Sequence, residues 1–198
     1  MNSSRKNLSE TPHSLMKHWK AVTLALCTLV LWRALPHPPN FTPTLGCALV
    51  LGSVVTQQKT LSSRLVGGLL TALAVLLADA LFLGFHSSQA AVFIAILAVS
   101  FVPALLPRSA KEKTTSTLAR LGGESFIATG LFFLVTNFAV WLGSGLYAPT
   151  FMGLVTCYIA AIPFALSTLA STFISLSVFE AASLRVVPAS LSNQARSN

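Results

Sequence analysis

The chain has 198 residues, of which 54% are apolar and only 9% charged, with a formal net charge of +8 and a mean hydropathy of +0.73. A soluble domain carries about 25% charged residues, so this chain cannot cover a water-facing surface, and lipid is its expected solvent. The positive charge does not argue for nucleic acid, because the basic residues form short clusters between apolar runs and no stripe interleaved with aromatics.

In chain order, residues 1–20 read as a polar, basic cytoplasmic tail. The apolar run at about 21–35 has the look of a signal peptide, but Arg33 and Pro36 interrupt the place of a cleavage site, so it is read as a retained first span. Pro36-His37-Pro38-Pro39-Asn40 follows as a rigid, non-helical link. The second run, about 41–57, is short, and a polar link with Lys59 and Arg64 leads to the third, about 65–86. A short uncharged link precedes the fourth, about 89–107. The longest link carries Arg108, Lys111, Lys113 and Arg120. The fifth and sixth runs cover about 123–147 and 150–179, and residues 181–198 form a polar C-terminal tail. A span needs about 20 apolar residues to cross about 30 Å of hydrocarbon, and the last four runs meet that length. Continuous runs of this size exclude the alternating strands of a membrane barrel.

Sides follow from Lys and Arg. Twelve of the thirteen fall on one side of this six-span scheme and only Arg33 on the other. Basic loops stay in the cytoplasm, so both termini are predicted inside, in a bacterial inner membrane. The expected architecture is an all-α integral membrane protein with a six-helix domain over residues 21–180.

Asp79 lies in the third span, about 10 Å below its outer end at about 1.5 Å per residue. An ionisable group at that depth is costly unless it faces protein or water, and it marks a functional site by default. His86 follows seven residues later, two turns along the same face. Asn137 and Trp141 share a face of the fifth span, Tyr147 stands at the outer rim, and Arg33 and His37 belong to the outer end of the first span and its link. With Phe85 and Phe82 as apolar wall, these residues predict a pocket open to the outside and closed inward by Leu, Ala, Val and Gly. Pro163 is expected to kink the sixth span. Small residues at Ala21 and Ala25, Gly67-Gly68 and Gly122-Gly123 suggest close helix contacts.

Cys27, Cys47 and Cys157 form no metal or redox spacing and read as small buried hydrophobes. No nucleotide-binding loop, metalloprotease motif, serine elbow or paired carboxylates occur, so the chain is read as a non-enzyme with no cofactor, no metal and no ATPase of its own.

Several stretches taken together resemble a known family: Asn40-Phe41-Thr42-Pro43, Leu77-Ala78-Asp79 running to Leu83-Gly84-Phe85-His86, Phe132 through Phe138 leading to Trp141, and Gly153-Leu154 with Cys157-Tyr158 through Pro163-Phe164. They resemble bacterial transport proteins related to the S components of energy-coupling-factor (ECF) transporters, with the BtuM-type cobalamin transporters as the nearest named relatives. The resemblance spans about residues 36–180. It implies a six-helix S-component fold, an outer ligand pocket and uptake of a vitamin-like solute, foremost cobalamin or another corrinoid, either alone or with an ECF coupling subunit and ATPases. Some such members place a cobalt-ligating cysteine near the Asp79 segment, where this chain has Ala80. The alanine pair Ala21 and Ala25 matches a site at which some S components dock the coupling subunit. Two other classes stay open: a small membrane enzyme using Asp79 and His86, and a ligand-free accessory subunit.

Overall fold

The computed structural model describes residues 12–54, 61–84, 88–106 and 114–185. The described residues form six α-helices and no strand: α1 Pro12–Ala34, α2 Thr44–Val54, α3 Leu61–Ala78, α4 Gln89–Val99, α5 Thr114–Gly143 and α6 Phe151–Arg185. A π-helical turn, Asp79–Leu83, continues α3, and a 3₁₀ turn, Val102–Ala104, follows α4.

The helix order matches the six apolar runs, with different bounds. α1 begins at Pro12 and so takes in part of the expected tail. α5 begins at Thr114, nine residues before the apolar run, and α6 reaches Arg185. α6 is assigned as helix through Pro163. Three helices are long and apolar enough to cross a membrane, with windows at Leu65–Phe82, Thr114–Gly143 and Phe151–Ala182. The apolar parts of the other three, Val22–Ala34, Thr44–Ser53 and Gln89–Ala104, are shorter.

The short α2 is the axis of the bundle. It packs against α1, α3, α4, α5 and α6, and Leu45, Cys47, Ala48, Leu49 and Leu51 are almost wholly buried. A helix apolar all round has to be covered all round, and α2 meets that condition without a polar face. Its eleven residues rise only about 16 Å at 1.5 Å each. Close approach to α3 depends on Gly67, where a Cβ would stand 2.7 Å from the Leu51 carbonyl oxygen. The Gly122 counterpart is not a contact point, since a Cβ there would meet nothing within 4 Å.

The outer surface is suited to hydrocarbon. On α3, Leu65, Leu69, Leu73 and Leu77 recur every fourth residue and are 39–58% exposed, a stripe continued by Leu81. In water, a contiguous apolar patch of this kind would be an association site; against acyl chains it is the ordinary lipid-facing side of a span.

Ionic groups are confined to two places among the buried residues. Near one end of the bundle Arg33 meets Asp79. Toward the other, Arg120 and Glu124 on α5 pair at 2.9 Å, with Glu180 of α6 3.5 Å from Arg120. Asp79 is therefore not alone as a deeply buried acid: Glu124 is 3% exposed. Arg120, counted above with a loop, is a helical residue 6% exposed.

Candidate functional site

The site begins with the way three elements end. The last turn of α1 presents Arg33. At the far end of α3 the helix widens into the π turn, which opens with Asp79 and closes at Gly84, whose amide donates to the Asp79 carbonyl at 2.6 Å. Gly84 takes φ +78°, a conformation that side chains disfavour. α4 starts with Gln89. The Arg33 Nη1 donates to Asp79 Oδ1 at 2.6 Å, and the Gln89 Nε2 donates to Asp79 Oδ2 at 2.6 Å. Both carboxylate oxygens are thus held by donors from two other helices, with Asp79 only 1% exposed.

Asp79, expected as a ligand-binding group, is paired with Arg33 and is not among the residues that line the cavity. A π turn and Gly84 follow Asp79, and the expectation that Asp79 and His86 share a helical face falls on residues outside the described ones. His86 and Phe85 lie outside the described residues.

A cavity of about 360 Å³ opens beside Arg33. One wall is the α5 face of Phe132, Phe133, Thr136, Asn137 and Val140, which recur at three- and four-residue intervals. The neighbouring α6 adds Ala161, Phe164 and Ala165 to the lining. The innermost lining residues on these helices are Thr129 and Thr168. The N-terminus of α2, at Thr44 and Leu45, and Ser88 at the start of α4 close the remaining sides, with His37, Asn40 and Thr42 of the first link at the rim.

The polar groups around it differ in how they are engaged. Asn137 donates from Nδ2 to the Phe133 carbonyl at 2.8 Å, and Thr136 donates to the Phe132 carbonyl at 2.7 Å. Thr168 donates to the Phe164 carbonyl at 3.0 Å. By contrast the Arg33 Nε and the Thr129 Oγ1 are buried without a hydrogen-bond partner. Buried polar atoms are nearly always paired, and the same lack of a partner is found away from the cavity at Gln89 Oε1, Ser125 Oγ and Ser177 Oγ.

Of the expected site residues, Arg33 and Asn137 come together at the cavity, and Asp79 touches it through Arg33. Trp141 and Tyr147 do not line it. The Trp141 Nε1 donates to the Ala148 carbonyl at 3.0 Å and ties the end of α5 to the following loop. Thr129, Thr168 and the three phenylalanines escaped attention because single hydroxyls and aromatics in apolar runs are unremarkable. The fourfold spacing of Thr129, Phe133 and Asn137 was the available signal.

The alanine docking pair is also corrected. Ala25 is 0% exposed and its carbonyl accepts from the Cys47 Sγ at 3.4 Å, so it belongs to the core and not to a docking surface; the Ala21 side chain lies outside the described residues. Cys47 and Cys157 are buried as expected, whereas Cys27 is exposed on α1. Among the described residues no three His, Cys, Asp or Glu side chains cluster as metal ligands.

A family described as a family of unknown function, DUF6580, matches residues 13–190, and the chain belongs to that family. No curated protein and no solved structure matches the chain.

Proposed function

We propose that this DUF6580 member is a membrane-embedded uptake protein that captures a vitamin-like solute in the cavity beside Arg33, as an S component does. The observation that carries the reading is a cavity of about 360 Å³ that gathers Arg33, Thr136 and Asn137 among apolar side chains. Polar groups at membrane depth are tolerated where they face protein or a cavity and are retained for function. On this reading all six helices lie in the inner membrane, both termini are cytoplasmic, and the cavity opens outward. The twelve-to-one division of basic residues supports that orientation. Energy comes from a separate coupling subunit with ATPases or from a solitary mechanism.

The cavity lies at the low end of the roughly 300–1,000 Å³ usual for drug-sized ligands. That volume supports a solute smaller than a corrinoid. Cobalamin, the ligand implied by the resemblance, is larger than that volume. One observation favours the accessory reading instead: Asp79 is satisfied entirely by protein. The gathering of Arg33, Thr136 and Asn137 on the walls of one cavity favours a ligand.

Whole-cell accumulation separates the two. Cells expressing the chain are given labelled cobalamin and labelled smaller water-soluble vitamins, beside cells expressing Asn137→Leu with Thr129→Val. Accumulation of one solute, lost in the variant, is the expected result. Equal accumulation of every solute in expressing and non-expressing cells contradicts uptake and supports the accessory role.

A further inference from the structure

The cavity beside Arg33 carries no net charge. Its lining holds one formal cation, Arg33, and no acidic residue, with His37 counted as neutral. Asp79, paired to Arg33 at 2.6 Å, cancels that charge. Four helix ends meet at the lining. α2 begins at Thr44 and α4 at Ser88–Gln89, while Arg33 lies in the last turn of α1 and Val140 in the last turn of α5. A helix N-terminus carries about half a positive charge and a C-terminus about half a negative one, so the two starts and the two ends cancel. An ion entering this cavity would lose hydration with no counter-charge to replace it, which is costly. An uncharged solute meets no such cost.

The polar atoms of the lining then say what that solute has to offer. The Thr136 hydroxyl gives its one hydrogen to the Phe132 carbonyl at 2.7 Å, and Asn137 Nδ2 gives one of its own to the Phe133 carbonyl at 2.8 Å. Both side chains are half-buried and line the cavity. What they have left is mainly acceptor: the Thr136 lone pairs, and the Asn137 Oδ1, which bonds nothing among the described residues. Arg33 is the opposite case. A guanidinium only donates, and this one lines the same cavity with its side chain 16% exposed.

A solute that pairs with both needs a hydrogen to give and an oxygen to receive with, on one uncharged group. A carboxylate has no hydrogen to give, an amidinium has no oxygen, and a ketone has the oxygen alone. A primary or secondary amide has both. We propose that the cavity takes an uncharged solute with an amide on a small apolar body. The amide N–H meets Asn137 and Thr136, its carbonyl meets Arg33, and the body lies against Phe132, Phe133 and Phe164. This rests on the uptake reading above and names the chemical class of its solute.

The full chain in detergent is titrated calorimetrically, against a micelle blank, with benzamide, acetophenone, benzoate and benzamidine, which share a ring and nearly a shape. Benzamide binds about tenfold tighter than acetophenone, the factor for one buried hydrogen-bonding group left without its partner, and tighter than either ion. Asn137→Leu is close in volume and removes a side-chain bond made only within α5. It folds, still binds acetophenone, and loses most of the advantage of benzamide. Tighter binding of benzoate or benzamidine overturns the neutral-solute assignment. Equal binding of acetophenone and benzamide, or an advantage undiminished in Asn137→Leu, overturns the amide pairing while leaving capture in the cavity intact. The comparison of the four probes on the wild type stands whether or not the variant folds. Failure of all four overturns the amide class, and the accumulation assay then decides separately whether uptake itself stands.

Discussion

Removing the Asp79 carboxylate should destabilise the protein far more than removing both members of its ion pair. Asp79 and Arg33 are 2.6 Å apart, with side-chain exposures of 1% and 16%. Breaking a buried pair from one side costs about 3–5 kcal/mol, because the remaining charge is left uncompensated. Arg33 is the more exposed partner and can turn toward the cavity, so Asp79→Ala falls near about 3 kcal/mol, and the Gln89 amide that also loses its acceptor adds about 1 kcal/mol. Arg33→Leu strands a carboxylate with only Gln89 to hold it and lies near the upper end, about 5 kcal/mol. Arg33→Leu/Asp79→Leu removes both charges, and its cost stays well below the sum of the single costs. A chain of this size loses about 2–4 °C of melting temperature per kcal/mol. Asp79→Ala should therefore melt about 8–16 °C below the wild type when followed by tryptophan fluorescence in detergent. Single effects that simply add in the double variant, or an Asp79→Ala melting point within 2 °C or so of the wild type, on the scale of ordinary surface substitutions, would refute the ion pair described.

Three further outcomes follow from the same geometry. In a background with the three cysteines replaced by alanine, a thiol placed at His37 reacts with an impermeant maleimide in spheroplasts, while one at Thr114 reacts only after permeabilisation; the reverse pattern inverts the proposed topology. Gly67→Ala forces a Cβ against the Leu51 carbonyl at 2.7 Å and costs about 1–3 kcal/mol, whereas Gly122→Ala meets nothing within 4 Å and gains up to about 1 kcal/mol of helix propensity; thermal unfolding of the two compares them directly. Glu124→Ala removes the 2.9 Å partner of the buried Arg120 and leaves it Glu180 as counter-charge, at a cost of about 1.5–3 kcal/mol, and a melting point equal to that of the wild type would show the cluster to be solvated.

The apolar runs made the helices legible because outward-facing and core-facing residues are both apolar, which leaves unbroken stretches in the chain. The same fact hid their ends. Thr114–Gly122 is helical although rich in Thr, Ser and Gly, because its turns bury Arg120 and Leu121 and so pack without a continuous apolar run. Arg120 and Glu124 are spaced i,i+4 as a helical ion pair, but placing Arg120 in a basic loop concealed it. Asp79 was rightly singled out as a costly group, whereas its partner could not be read: Arg33 lies 46 positions away, and nothing local joins them. Asn137, which lines the cavity, was singled out because an amide within an apolar run needs a partner. Thr129 was not, because a hydroxyl in a helix ordinarily bonds the carbonyl four residues back, as Thr136 and Thr168 do here.

The central claim is that the cavity beside Arg33 holds a solute, and occupancy tests it most directly. Native mass spectrometry compares the wild type with Ala165→Trp, whose indole would fill the space between α5 and α6, both purified from cells grown in rich medium. The account predicts a small-molecule adduct in one-to-one ratio on the wild type and the bare protein mass for the variant. A bare mass for both, or an adduct that persists in Ala165→Trp, would contradict it.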